Sequence, residues 1–151
     1  RMEKMYKILS KKVLNPTVTQ MDIEAPLVAN KAQAGQFIIL RVDSDGERIP
    51  LTVASTNKEN GSVRIIFQIV GATTFKLNQK QQGDYIADFV GPLGRPTNTE
   101  GIKRACVIGG GVGCIRHKRS SHFEAFLNDQ SVFRVTRECN TACRQQIAYC
   151  G

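Results

Sequence analysis

The sequence predicts a mainly β chain, an antiparallel barrel followed by the start of an incomplete α/β domain, on three observations. Over the first hundred residues, short apolar stretches alternate with Gly, Pro, Asn and Asp, the pattern of a barrel or sandwich. Residues 62–70 alternate strictly, with Val63, Ile65, Phe67 and Ile69 on one face and Arg64, Ile66, Gln68 and Val70 on the other. Finally, Ala105-Cys106-Val107-Ile108-Gly109-Gly110-Gly111-Val112-Gly113 reads as a buried strand entering a glycine-rich turn, the opening of a nucleotide-binding βαβ unit. The residues that follow, Cys114 to His122, are polar and basic with no helical apolar period, so the unit is begun and not continued.

In chain order, Met5 to Leu14 and Val18 to Ala25 are expected as strands around an Asn15-Pro16 turn. Phe37 to Val42 is a third strand, closed by the polar loop Asp43 to Glu47. Arg48 to Ala54 is a fourth, in which Pro50 marks an edge or a place where something other than a strand approaches. Ser62 to Val70 follows, then a short helix over Phe75 to Lys80 capped by a threonine of Gly71-Ala72-Thr73-Thr74. A last strand, Gly83 to Val90, ends in the turn Gly91-Pro92-Leu93-Gly94. Thr97 to Gly101 reads as a linker, which divides the chain into a barrel over 1–100, a strand and glycine loop over 101–113 and a divergent, loosely ordered tail over 114–151.

The 151 residues, 41% hydrophobic and 23% charged, have the composition of an ordinary globular chain. No apolar run approaches the about 20 residues of a membrane span, and Arg1 to Met5 lacks a secretory signal's apolar core, so a cytoplasmic protein with no membrane contact is expected. The net charge of +8 is spread along the chain without interleaved aromatic residues, which argues against nucleic acid and suits an acidic protein partner. The five cysteines are odd in number, with Cys106 in the apolar strand and the rest later, as expected for reduced thiols. Cys139 and Cys143 with His117 and His122 match no common zinc spacing, so no metal site is expected.

The order of these motifs over residues 4–113 resembles the ferredoxin:NADP reductase superfamily, in which a flavin-binding barrel precedes a nicotinamide-binding domain. Arg48-Ile49-Pro50-Leu51-Thr52-Val53-Ala54 is similar to the flavin-facing strand of the dihydroorotate dehydrogenase electron-transfer subunit. Phe67 to Thr74 and Asp88 to Gly94 resemble the alpha subunit of NADH-dependent reduced ferredoxin:NADP oxidoreductase, a sulfide dehydrogenase subunit. The resemblance implies FAD, lined by Arg48, Ile49, Pro50, Leu51, Thr52, Ile66, Phe67, Gln68, Gly71, Thr73 and Thr74. Pro50 and Leu51 would cover the flat ring, while Thr52 would address the ring edge near N5 and tune its electronics. Thr73 and Thr74 would meet the diphosphate at a helix N-terminus.

One position departs from the superfamily pattern, which places arginine three residues before the Ser/Thr; here that residue is Ile49, with Arg48 one earlier. Gly109, Gly110, Gly111 and Gly113 fit the start of an NAD(P) site whose remainder is not recognisable. The family subunit also carries a [2Fe-2S] cluster, but Cys139, Cys143 and Cys150 do not reproduce its cysteine spacing. The break after Gly113 is expected of a truncated or frame-shifted reading frame.

The implied function is electron passage between NAD(P)H and ferredoxin or another iron–sulfur partner, with a second oxidoreductase subunit. This chain by itself is expected to be inactive. The alternative is a flavin-free barrel that binds another ligand or protein and ends in a disordered tail.

Overall fold

The computed structural model describes residues 5–98 and two short strands further along the chain. The elements are β1 (Tyr6–Asn15), β2 (Val18–Glu24), α1 (Pro26–Lys31), β3 (Phe37–Arg41), β4 (Arg48–Asn57), β5 (Ser62–Gln68), α2 (Ala72–Gln79), β6 (Tyr85–Ile86) and β7 (Asp88–Leu93), then β8 (Cys106–Gly109) and β9 (Val132–Val135). β1 to β7 form one antiparallel sheet in the order β6-β1-β2-β5-β4-β3-β7. Its two end strands are separated in sequence only by Ala87, whose amide donates to the Val42 carbonyl, so the sheet curls into a nearly closed barrel.

Alternation along each strand sends one side-chain set inward. Ile8 and Met21, Ile38 and Leu40, Val53 with Val63, Ile65 and Phe67, and then Ile86 and Phe89 fill the interior together with Leu77 of α2. The predicted faces of β5 are therefore the observed ones: Val63, Ile65 and Phe67 point in, and Ile66 packs outside with Val18 and Ala54. β5 stops at Gln68, and the Ile69 amide donates to the Thr17 carbonyl instead of continuing the ladder.

Several boundaries differ from the sequence reading. β4 runs on to Asn57, because a register shift between Val53 and Ser55 places Ser55 opposite Arg64 and Thr56 opposite Val63 and lets the strand continue against β5. α2 begins at Ala72, three residues before the expected start, because Thr74 satisfies the helix entry from within the first turn. The expected strand from Gly83 is two pieces, and Gly91-Pro92 lies inside β7; the chain turns only at Gly94, with φ +80°. α1 was not expected at all; Pro at its first turn and the buried Val28 and Ala29 account for it. β8 lies within the predicted apolar strand and pairs in parallel with β9, Cys106 opposite Val132 and Gly109 opposite Val135.

Candidate functional site

β4 changes partner halfway along. Arg48 to Thr52 pair with β3, from Arg41 opposite Arg48 to Phe37 opposite Thr52, whereas pairing with β5 begins only at Val53 opposite Ile65. N-terminal of that rung β4 and β5 separate, since β5 goes on to Gln68 against β2. Val53 donates its amide to the Gln36 carbonyl on the β3 side. By alternation the backbone of Pro50 and Thr52 faces the other way, into the split between β4 and β5. Proline has no N–H to leave unpaired on such an edge. The edge predicted at Pro50 is thus present on one side of the strand.

The side chains of this segment divide by parity. Ile49 and Leu51 pack against the barrel interior, and Val53 is buried in it. Arg48, Pro50 and Thr52 face outward, Pro50 exposed and Thr52 half-buried. Ile39 sits opposite both Pro50 and Val90, which makes an apolar row across β4, β3 and β7. On β5, Phe67 is in the core, whereas Gln68 is exposed and Ile66 packs on the outer surface. Phe67 therefore offers a ligand only backbone, Ile49 and Leu51 are partly buried against the core, and Pro50, Thr52 and Gln68 present outward side chains.

Beyond β5 the chain enters α2 through Gly71. The Thr74 hydroxyl accepts from the Val70 and Gly71 amides, each at 3.0 Å, and donates to the Gly71 carbonyl at 3.0 Å. It is 9% exposed and fully engaged in capping. The first helical bond runs from the Phe75 amide to the Gly71 carbonyl, so the amides of Ala72, Thr73 and Thr74 have no acceptor within the helix. Gly71 has extended backbone, φ −165°, and a Cβ there would meet nothing within 4 Å. Nothing in the fold requires glycine at this position; it leaves the helix entrance uncovered.

The β3–β4 loop joins the two regions. The Thr73 hydroxyl donates to Glu47 Oε2 at 3.2 Å, and Glu47 immediately precedes β4. Asp43 of the same loop pairs with Lys76 at 2.7 Å and Lys80 at 3.0 Å. Hydrogen bonds from these two lysines hold the Asp43 carboxyl below the usual carboxylate range, and Asp43 raises Lys76 in return. Thr73 and Lys76 lie three residues apart on α2 and Lys80 directly follows its end, so the loop is strapped along the helix.

Arg48 donates to Asp88 Oδ2 at 2.8 Å, across β3, and Arg41 approaches the same oxygen at 3.5 Å. The side chain is 60% exposed and shares the outward face of Pro50 and Thr52, but it is committed to a carboxylate. Sequence reasoning missed Asp88, Glu47 and Gln36. Gln36 donates Nε2 to the Gly94 carbonyl at 2.8 Å and tethers the end of β7. Glu47 and Gln36 lie in no recognisable motif, and Asp88 opens the Asp88 to Gly94 motif, which assigns it no partner. Of the glycines expected at a nucleotide turn, Gly109 ends β8, and Gly110, Gly111 and Gly113 lie outside the described residues. Among the described residues no group of three or more His, Cys, Asp or Glu is placed to hold a metal. No described helix is long and apolar enough to cross a membrane.

The antiparallel barrel is shared with ferredoxin reductase-like proteins, as comparison with known proteins shows. No protein-family profile matches the chain. It is 50% identical over 116 residues to the "Uncharacterized protein in adh 3'region" of Clostridium beijerinckii. It is 43% identical over 109 residues to a dihydroorotate dehydrogenase B (NAD(+)) electron transfer subunit homolog of Thermotoga maritima. Each match covers 72% of this chain and 39% of the relative, so the chain spans about two fifths of the length of these proteins. Among solved structures, one of NADH-dependent reduced ferredoxin-NADP oxidoreductase superposes with a TM-score of 0.76 at 35% identity, covering 87% of this chain and 47% of that one. Phthalate dioxygenase reductase, at 16% identity and a TM-score of 0.60, shares the fold. Over the matched residues the chain is similar to dihydroorotate dehydrogenase B electron transfer subunits and to NADH-dependent reduced ferredoxin-NADP oxidoreductase, with which it shares a ferredoxin reductase-like fold.

Proposed function

We propose that the chain is the FAD-binding part of a cytoplasmic oxidoreductase that passes electrons between NAD(P)H and ferredoxin or another iron–sulfur partner, together with a second subunit. The observation that carries this reading is the fastening of the β3–β4 loop along α2, by Asp43 to Lys76 and Lys80 and by Glu47 to Thr73, because it sets the start of β4 against the first turn of α2. The two regions that a flavin dinucleotide needs, a flat apolar strand edge and a cluster of anion-binding donors, are then neighbours.

The residues present fit the cofactor. Gly71 leaves the helix entrance open, and the first-turn amides with the Thr73 hydroxyl would receive the diphosphate. Thr74 would shape that turn, its hydroxyl being engaged by the Val70 and Gly71 backbone, while its amide faces the same entrance as those of Ala72 and Thr73. Pro50 would cover the ring, and the Thr52 hydroxyl or amide would address its edge, with Gln68 on the opposite side of the split. Leu51, Ile49 and Phe67 support this surface from inside the barrel, and Ile66 from the outer wall. Arg48, held by Asp88, would orient rather than neutralise.

FAD in this position would supply two-electron exchange with a nicotinamide and electron delivery to an iron–sulfur partner. The chain's own residues shield the ring face, fix the orientation of its edge through Thr52 and hold the anionic end against α2. Gly109, Gly110, Gly111 and Gly113 would begin the nicotinamide nucleotide site.

A visible absorption spectrum of the purified chain after incubation with FAD and removal of unbound cofactor tests the reading. Retained flavin absorbance is expected. A colourless chain that takes up no flavin favours the plain interaction barrel.

A further inference from the structure

Glu47 is the one anionic group that reaches the first turn of α2 among the contacts described, and it does so on the donor the diphosphate would use. Thr74 has both its roles filled by Val70 and Gly71, so Thr73 supplies the side-chain hydroxyl still able to turn toward a ligand. That hydroxyl donates to Glu47 Oε2. The carboxylate also lies in the field of the helix N-terminus, where the unpaired amides of Ala72 to Thr74 favour negative charge.

We infer that Glu47 is an internal stand-in for the cofactor's diphosphate, an autoinhibitory contact that must be displaced when FAD binds. This rests on the placement of the diphosphate at α2 proposed above. Two features support it. Open space at Gly71 shows that the helix entrance is kept accessible although no packing requires a glycine there. The strap's other end is fastened independently by Asp43 to Lys76 and Lys80, so Glu47 can leave Thr73 while the loop stays attached to the helix.

A carboxylate close to the entering diphosphate opposes it twice. It occupies the Thr73 hydroxyl, and its charge repels the phosphates at short range. Because Glu47 is exposed, solvent screens this repulsion, and the combined effect corresponds to a several-fold change in affinity. Glu47→Gln keeps the shape and the hydrogen-bond acceptor while removing the charge.

The experiment is an equilibrium titration of the full chain with FAD and with FMN, followed by flavin fluorescence, for the wild type, Glu47→Gln and Thr73→Val. Expected are roughly three- to tenfold tighter FAD binding by Glu47→Gln, unchanged FMN binding, and weaker FAD binding by Thr73→Val. If the wild type prefers FAD and Thr73→Val weakens it, but Glu47→Gln binds FAD no more tightly, the diphosphate placement stands and the inhibitory role of Glu47 is overturned. If the wild type binds FAD and FMN equally and Thr73→Val changes nothing, the placement itself fails and the inference falls with it.

Discussion

Arg48 and Asp88 meet across an intervening strand, Nη2 to Oδ2 at 2.8 Å, on the outward face that also carries Pro50 and Thr52. The pair ties the entry of β4 to the entry of β7 and occupies the arginine that sequence alone leaves available to a phosphate. Arg48→Ala is therefore expected to weaken FAD binding less than Thr73→Val does, and to lower stability by no more than about 1 kcal/mol, since the arginine is largely exposed. Fluorescence titration and urea unfolding of both variants measure the two effects.

Thr74 carries the opposite balance. Its hydroxyl serves two backbone amides and one carbonyl in a nearly closed environment. Thr74→Val removes the cap and is expected to cost about 1–2 kcal/mol in urea unfolding, with Thr74→Ser recovering most of the loss. An unchanged midpoint for the valine variant would assign the cap no energetic role.

Gly71 separates binding from folding. Alanine in extended backbone, with no atom within 4 Å of the new Cβ, is expected to leave stability within about 0.5 kcal/mol of the wild type. The same methyl group narrows the entrance to the first-turn amides, so FAD binding is expected to weaken about tenfold. Equal FAD affinity in the two proteins would show that the diphosphate does not pass this close.

Thr52→Val preserves strand shape and deletes one hydroxyl. The barrel is expected to remain folded, while the bound flavin's midpoint potential shifts by on the order of 20 mV, the equivalent of a hydrogen bond of about 1 kcal/mol in a two-electron couple. Spectroelectrochemical titration measures it. An unmoved potential would leave only the Thr52 backbone amide at the ring edge.

Acid stability depends on Asp22. Partial burial pushes its carboxyl up, but hydrogen bonds from Arg64 (2.7 and 2.9 Å) and Ser10 (2.9 Å), with the arginine charge, outweigh this and hold it below the usual range. A carboxyl lowered on folding stabilises the native state above its unfolded pKa, and that contribution disappears as pH falls through the folded value. Asp22→Asn is thus expected to be less stable than the wild type by about 1 kcal/mol near neutrality and equally stable in strong acid. Urea midpoints measured across that range check the convergence.

The barrel was legible because its strands carry their periodicity locally. In β5, alternation alone assigns Val63, Ile65 and Phe67 to the core and Ile66 to the outer wall. Pro50 likewise signalled an unpaired edge, because a missing N–H is written in the sequence. The less legible features depend on partners distant in sequence. Arg48 finds Asp88 forty residues on, and Thr73 finds Glu47 twenty-six residues back. The bulge at Ala54 and the passage of β7 through Gly91-Pro92 reflect pairing choices that no local pattern encodes. α1 is too short for a helical period to emerge, and only Pro26 hinted at it.

The most direct test of the central claim compares FAD with FMN on the wild-type chain by equilibrium fluorescence titration, since the two cofactors share the ring and differ by the diphosphate-linked adenosine. A ring on β4 with its diphosphate on α2 predicts one equivalent of FAD bound at least about tenfold more tightly than FMN, a difference of about 1.4 kcal/mol. Equal affinity for the two, or no binding of either, would contradict it.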